Sequence, residues 1–281
     1  MLYRKIERYI EEHLRSDSDK ILLLEGARQV GKSYIVREVA KRLYVNFVEL
    51  NFVEDEEGAK LFKEVHTTND FYMSLSMFAG EKLDKYENTL VFLDEIQQYP
   101  QYLTMLKFFR QEKRYRFIAS GSLLGVTLRS TTSIPVGSII RKEMYQLDFE
   151  EFIIANGFGL ETVASIKKKF RNRESLSEPQ HNKLMDLFRR YLIVGGMPDV
   201  VNTYLETHNV VKVRELQNSI KGLYADDASK YESNNGKNLL IKRIYGMIPS
   251  QMENKRNVLF SRMCGIRRAK DLINFKKSLS I

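Results

Sequence analysis

Residues 21–33 read ILLLEGARQVGKS, and this stretch decides the fold. Its four consecutive apolar residues, Ile21 to Leu24, predict a buried strand of a parallel sheet. The octet GARQVGKS at 26–33 follows with the spacing GxxxxGK[ST] of a phosphate-binding loop, and a helical pattern covers 33–43. A strand, a glycine-containing loop and a helix in this order predict an α/β domain in which a helix N-terminus faces a phosphate.

The loop residues have predicted roles around a nucleotide. The glycines let the backbone wrap a phosphate with its N–H groups pointing inward, Lys32 reaches the β- and γ-phosphates, and Ser33 binds Mg²⁺. The alternative, a glycine turn between strand and helix without a ligand, does not account for the complete motif. The predicted nucleotide-binding residues are Gly26, Ala27, Arg28, Gln29, Val30, Gly31, Lys32, Ser33 and Tyr34.

A second predicted strand, Thr89 to Leu93, ends in the adjacent carboxylates Asp94 and Glu95. Asp94 is the expected Mg²⁺ partner, usually through water. Glu95 is placed to orient or deprotonate an attacking water, which favours hydrolysis over transfer to a hydroxyl. In isolation this pair would be an ordinary acidic turn; the phosphate loop makes it a candidate catalytic pair.

A third predicted strand, Tyr115 to Ala119, ends in Ser120-Gly121-Ser122. Either serine is a candidate to sense the γ-phosphate or position water, because ligands of open α/β folds gather at this end of the strands. Serine and glycine also end many strands without a function. The motif GxSxG is absent, so a serine nucleophile is not indicated.

The order of patterns along the chain predicts several domains. Further strand-like runs at 45–50 and 139–147 alternate with helical stretches at 56–80 and 103–112, which predicts a parallel sheet with crossover helices. After about 157 the strand-like runs end and helical stretches follow. The predicted domains are an α/β core over 1–155, a helical domain over 156–232 and a third block over 233–281.

Composition limits the function classes. The 281 residues are 43% hydrophobic with a net charge of +9, which excludes wholesale disorder and favours polyanionic partners. The single cysteine, Cys264, excludes an internal disulfide and a cysteine-based zinc site. The four histidines have no metal-binding spacing. No signal peptide or apolar span appears, so the sequence predicts a cytoplasmic protein that uses no membrane.

The quoted motifs together resemble a family of prokaryotic AAA-type P-loop ATPases with an AAA-like core and a C-terminal domain of uncharacterised function. The resemblance implies a P-loop core, a helical lid and a winged-helix module, of which this chain would have only a part, and it implies ATP rather than GTP. The absence of an Asn-Lys-x-Asp guanine motif agrees with ATP. The matching segments are GARQVGKS at 26–33, VFLDEIQ at 91–97, IASGSLLG at 118–125, IPVG at 134–137, LDFEEF at 147–152 and YLIVGGMPDVV at 191–201.

Two departures from that family pattern lead to further expectations. Relatives usually carry a basic residue directly after the PVG turn, where this chain has Ser138, so the cation for the γ-phosphate would be Arg129 or Arg141, or would be missing. Relatives also continue beyond position 281. The segment 236–281 would therefore be an incomplete winged helix whose apolar residues pack on the lid, mediate self-association or stay poorly ordered.

Two function classes remain open at this point. One is a Mg²⁺-dependent ATPase whose hydrolysis moves the helical lid. The other is a nucleic-acid-binding protein in which ATP is a regulator or the ATPase is degenerate, with DNA or another nucleic acid, or an unknown protein, as partner. The candidate phosphate contacts of the second class are Lys167, Lys168, Lys169, Arg171, Arg173, Arg267 and Arg268.

Overall fold

The computed structural model describes residues 2–51, 56–122, 137–230 and 235–253. Its strands form one five-stranded sheet in the order β2-β3-β4-β1-β5, in which every pairing is parallel. The sheet and its flanking helices confirm the predicted P-loop NTPase α/β fold, and a helical region follows. The strands are β1 (Ile21–Glu25), β2 (Asn46–Asn51), β3 (Thr89–Asp94), β4 (Arg116–Gly121) and β5 (Ile139–Glu143).

The helices of the described residues alternate with the strands and then continue alone. Short 3₁₀ turns cover Gly80–Lys82 and Ile96–Gln98. The helices are α1 (Lys5–Arg15), α2 (Lys32–Leu43), α3 (Glu56–Lys63), α4 (Thr68–Ala79), α5 (Pro100–Glu112), α6 (Phe149–Ala155), α7 (Leu160–Arg171), α8 (Glu178–Val194), α9 (Pro198–Thr207), α10 (Val210–Lys230) and α11 (Asn235–Glu253).

The two faces of the sheet have separate hydrophobic cores, because side chains alternate along each strand. On one face, Leu23 of β1 packs in a cluster with Phe71 of α4 and Tyr102 of α5. On the other face, Leu22 packs in a cluster with Ile10 of α1 and Val36 of α2. Burial on both faces explains why the strands read as continuous apolar runs.

Strand β5 is shorter than the run predicted over 139–147. Its register with β1 ends where Glu25 lies opposite Glu143, so β1 offers no further residues for pairing. The chain then turns into α6, whose first turn is capped by Asp148, with Glu151 completing a reciprocal capping box. The apolar residues Met144 and Leu147 are buried without belonging to the strand.

The sheet brings its polar strand ends together at the carboxyl edge. Asn51 at the end of β2 lies opposite Asp94 at the end of β3. Ser120 near the end of β4 lies opposite Leu24 of β1. The loop after β1 therefore opens beside the residues that follow β3 and β4, which is where open parallel sheets bind ligands.

The chain divides into two compact units, Met1–Leu205 and Glu206–Ile281. In the second unit, α10 packs against α11, and the Nζ atom of Lys242 lies 2.6 Å from Oδ1 of Asp226. The predicted domain limits at 155 and 232 remain predictions. Much of the expected winged-helix segment, with Cys264, Arg267 and Arg268, lies outside the described residues. No helix in the described ranges is long and apolar enough to cross a membrane.

Candidate functional site

The loop between β1 and α2 has the backbone that its glycines predict. Gly26 has φ 156°, and a Cβ atom there would lie 2.2 Å from the carbonyl oxygen of Met144. Gly31 begins α2 as its N-cap with φ 92°, a left-handed conformation that favours glycine. Gln29 adopts φ 61° between them. The loop therefore leads directly into the N-terminus of α2 at Lys32.

Lys32 is buried within this loop. Its side chain is 5% exposed, and Nζ donates hydrogen bonds to the carbonyl oxygens of Gly26 (2.9 Å) and Ala27 (2.8 Å). Burial lowers the pKa of Lys32, while the nearby carboxylates of Glu95 and Asp94 act in the opposite direction. An anion bound beside this ammonium would favour its charged form. The loop thus holds a cation suited to a phosphate.

Ser33 and Asp94, predicted from separate motifs, are in direct contact. Ser33 Oγ donates to Asp94 Oδ2 at 2.6 Å, and Asn51 Nδ2 lies 3.4 Å from the same oxygen. Ser120 Oγ donates to the other oxygen, Oδ1. Asp94 is 1% exposed, and this burial raises its pKa despite the hydrogen bonds from Ser120 and Ser33. Three strand ends and the start of α2 therefore meet at one carboxylate.

Glu95 has an unusual backbone and a side chain held by neighbours. Its φ of 55° is left-handed, a conformation that costs a non-glycine residue roughly 1–2 kcal/mol. Its carboxylate oxygen Oε2 accepts hydrogen bonds from Ser122 Oγ at 2.9 Å and from the side-chain amide of Gln97. Gln97 Nε2 also lies 3.2 Å from Ser122 Oγ. These bonds fix one oxygen of the carboxylate at the sheet edge.

The remaining predicted residues are placed around this centre. Arg28 Nε lies 3.5 Å from Ser122 Oγ, and Tyr34 is 50% exposed on the first turn of α2. Arg141 forms two hydrogen bonds with Glu25, at 2.5 and 2.7 Å, so the structure engages it in an ion pair beside the loop. Arg129 lies outside the described residues.

The sequence patterns did not indicate two contributors to the site. Asn51 is an ordinary strand-end residue until the register places it opposite Asp94. Gln97 stands in the DEIQ segment, but its contact with Glu95 depends on the 3₁₀ turn of Ile96–Gln98, which reverses the chain after β3. The available signal was a polar residue, Gln97, two positions after Glu95 in the sequence.

The turn between α8 and α9 lies close to the phosphate loop. Gly195 ends α8 with φ 73°, and a Cβ at Gly196 would lie 2.0 Å from the carbonyl oxygen of Leu147. The N–H of Leu147 donates to the carbonyl of Gly196 at 2.7 Å. The Cγ atom of Pro198 lies 3.8 Å from the Cβ position of Gly31. Both sides of this contact belong to the first compact unit.

The residues of the phosphate-loop motif and the two strand-end motifs thus meet at one edge of the sheet, as in P-loop proteins. Residues 18–153 match a family model described as an AAA domain, and residues 185–270 match a domain of unknown function (DUF8612). The AAA match and the parallel fold support an AAA-type, nucleotide-binding ATPase. No curated protein sequence matches the chain.

Several solved structures are distantly similar to this chain. The Walker-type ATPase PABY2304 of Pyrococcus abyssi is 14% identical, with a TM-score of 0.48, over 99% of this chain and 90% of that one. AMPPCP-bound DnaA from Aquifex aeolicus is 11% identical, with a TM-score of 0.44, over 100% of this chain and 92% of that one.

Proposed function

We propose that this protein binds ATP with Mg²⁺ and hydrolyses it. The observation that carries the proposal is the contact of Ser33 with Asp94 beside the buried Lys32, directly below a complete phosphate loop. The N–H groups of residues 26–33 and the Lys32 ammonium would bind the phosphates, with Arg28, Gln29 and Tyr34 lining the loop. Glycine positions 26 and 31 allow this close approach of backbone to ligand.

The donor set of the site fits Mg²⁺. Ser33 Oγ and Asp94 Oδ2 lie 2.6 Å apart beside the loop, and both are hard oxygen donors that would hold Mg²⁺, Asp94 directly or through water. When bound, the ion would neutralise charge on the phosphate oxygens. Substrate phosphates and water would supply the remaining ligands, as is usual for Mg²⁺ at a nucleotide.

Glu95 is the proposed general base. Its carboxylate is fixed by Ser122 and Gln97, which leaves its other oxygen available to accept a proton from an attacking water. Ser120 is proposed to fix the orientation of the Asp94 carboxylate, to which it donates a hydrogen bond, and to sense whether the γ-phosphate is present. Arg129 is kept as a candidate cation for the γ-phosphate on the basis of the sequence alone.

The same site is proposed to work as a conformational switch. The turn at Gly195–Pro198 packs on the backbone of Leu147 and approaches Gly31. A change of the phosphate loop on ATP binding would therefore displace the junction of α8 and α9. A switch requires that ATP favour one arrangement of this junction over another. Limited proteolysis with ADP and with a non-hydrolysable ATP analogue would detect two arrangements.

Phosphate release from ATP is the direct test of the enzyme. We expect turnover in the presence of Mg²⁺ and none after chelation of the metal. Calorimetry in a buffer that contains neither ADP nor Ca²⁺ should show ATP binding. ATP binding without any metal-dependent turnover would remove the hydrolase assignment and leave a nucleotide-binding protein.

A second candidate function, nucleic-acid binding, is favoured by the C-terminal end of α7. Phe170 is 84% exposed there among basic side chains. Lys167 pairs with Glu150 at 2.6 Å, whereas no carboxylate of the described residues forms an ion pair with Lys168, Lys169, Arg171 or Arg173. Exposed cations around an exposed aromatic ring suit a single strand, whose phosphates and bases they would contact.

Anisotropy of a labelled single-stranded oligonucleotide would test this surface at two salt concentrations. We expect Arg171→Glu to weaken binding and reduce the salt dependence, whereas Lys183→Glu, which changes the net charge equally at an exposed position on α8, should have a smaller effect. Equal effects of the two changes would indicate that only net charge matters. A protein partner, self-association and a cytoplasmic location remain predictions from sequence.

A further inference from the structure

Arg4 is a buried cation that no motif includes. It is 7% exposed and precedes α1 as well as the segment that matches the AAA domain model. Its Nη1 donates to the carbonyl oxygen of Val30 at 2.9 Å, and its Nη2 donates to the carbonyl oxygen of Tyr145 at 2.5 Å. One guanidinium thus joins the phosphate loop to the segment after β5.

The charge of Arg4 is balanced by Glu151. Arg4 Nε lies 3.3 Å from Oε2 of Glu151, whose side chain is 6% exposed. The carboxylate is itself held, because Lys5 N donates to Oε1 at 2.7 Å and Asp148 N donates to Oε2 at 3.2 Å. Removing charges from water is costly, and a buried ion pair is often no more stable than well-packed apolar side chains. Attachment of α1 alone would not require this pair.

The geometry of the peptide bond gives the contact with Val30 a consequence. In a trans peptide the carbonyl of one residue and the N–H of the next lie in one plane and point in opposite directions, and the described residues contain no cis peptide. Holding the carbonyl of Val30 therefore also fixes the N–H of Gly31. Glycine permits many backbone conformations, so this peptide plane would otherwise rotate easily.

We propose that Arg4 is a positioning residue of the phosphate loop. It holds the Val30 carbonyl on the outside of the loop, which keeps the N–H of Gly31 directed to the phosphate side before nucleotide arrives. The carboxylate of Glu151, 3.3 Å from Nε, balances the charge of the guanidinium, whose hydrogen bonds to the two carbonyls set its orientation. The inference rests on the proposed function, since it assumes that the loop binds nucleotide phosphates.

Arg116 supplies a matched control. It is 9% exposed, and its Nη2 donates to the carbonyl oxygens of His13 and Ser16, at 3.2 Å each. It begins β4, so it lies at the end of the sheet opposite to the phosphate loop. Arg116→Lys and Arg4→Lys therefore each remove a buried guanidinium fork while keeping the positive charge, but only Arg4→Lys affects the loop.

The test measures ATP and ADP affinity by calorimetry together with the melting temperature. We expect both lysine variants to melt at lower temperature, whereas only Arg4→Lys should raise the dissociation constants of both nucleotides, by about tenfold or more. Arg4→Met should resemble Arg4→Lys, because the fork rather than the charge holds the carbonyl. Amide exchange of the 26–33 peptide without nucleotide should be faster in Arg4→Lys than in Arg116→Lys.

Other outcomes would overturn the inference. Nucleotide affinities of Arg4→Lys within twofold of those of Arg116→Lys would show that Arg4 only attaches the N-terminal segment. Failure of Arg4→Lys to fold, while Arg116→Lys folds, would likewise assign Arg4 to the scaffold. Absence of ATP binding by the unmodified protein would overturn the proposed function first, and that result is seen before any variant is compared.

Discussion

Both ends of the central sheet bury a positively charged side chain, but the groups that surround it differ. At the amino end, Arg116 is bonded to the carbonyls of His13 and Ser16 and to the hydroxyl of Tyr86, at 2.8 Å, so main-chain and neutral groups satisfy a buried cation. At the carboxyl end, Lys32 and Asp94 are buried close to each other and to Glu95, with opposite and like charges in one place.

The difference indicates which end is built for a ligand. At the carboxyl end burial lowers the pKa of Lys32 and raises that of Asp94, and both Glu95 and Gln29 have left-handed backbones. A buried lysine beside two carboxylates is typical of a functional site, whereas the pKa of His13 at the amino end is shifted mainly by its own burial. At the amino end, hydrogen bonds attach α1 to the sheet. Substitutions at the two ends should therefore separate function from stability.

The largest expected effect comes from Glu95→Gln. The amide retains the size of the side chain but cannot take a proton, so turnover of ATP should fall roughly 10²- to 10⁴-fold while ATP still binds. Phosphate release and calorimetry measure the two quantities. Glu87→Gln, on the exposed turn before β3, is the control. A parallel loss of binding and turnover would make Glu95 structural.

Lys32→Ala should separate binding from folding. Loss of the ammonium removes charged hydrogen bonds to two phosphates, so the affinity for ATP should fall by about a hundredfold or more. The melting temperature should change little, because among the described residues the Lys32 side chain donates hydrogen bonds only to the carbonyls of Gly26 and Ala27. An unchanged calorimetric affinity in a folded variant would contradict the phosphate-loop assignment.

Gln97→Ala tests how firmly the proposed base must be held. Without the amide, the Glu95 carboxylate keeps, within the described part of the chain, the hydrogen bond from Ser122 alone, and turnover should fall by about tenfold with ATP affinity unchanged. Ser122→Ala should act similarly, and the double variant should lose less than the product of the two effects because the groups act together. Gln98→Ala, an exposed neighbour, should retain full turnover.

The smallest effect is expected at the amino end, from pH. Burial, and then the charge of Arg116, lower the pKa of His13 below its ordinary value of 6.5. The unfolded chain therefore takes up a proton that the folded chain resists, and stability present above pH 6.5 declines as the pH falls below it.

Thermal melts between pH 7.5 and 5 would measure this decline. His13→Gln should flatten it by on the order of 2 °C at the acidic end, without altering ATP affinity at neutral pH. A His13→Gln protein with the same pH profile as the unmodified chain would show that other groups control the decline.

The sequence predicts those structural features that depend on residues close together in the chain, and misses contacts between residues far apart in it. The strand-forming runs and the contact of Ser33 with Asp94 were predictable, because each depends on a motif and on the parallel pairing that follows from it. Arg4 was not, since its partners Val30 and Tyr145 are 26 and 141 residues away. The residues that follow it in sequence belong to no motif and form the first turn of α1.

The end of β5 was missed for a related reason. Apolar residues continue to Leu147, and no local pattern records that β1 has no further residues to pair. The family resemblance was confirmed as far as an AAA domain over 18–153. The roles of individual site residues remain predictions for the variants above.

Strand β5 also bears on behaviour at high protein concentration. Within the described sheet it is an outer strand that pairs with β1 alone, and three of its five residues are Arg141, Lys142 and Glu143. Charged side chains on outer strands discourage the addition of a strand from another molecule. We therefore expect concentrated solutions of this protein to resist fibril growth along that side, and a neutral replacement of Lys142 to increase aggregation before it alters catalysis.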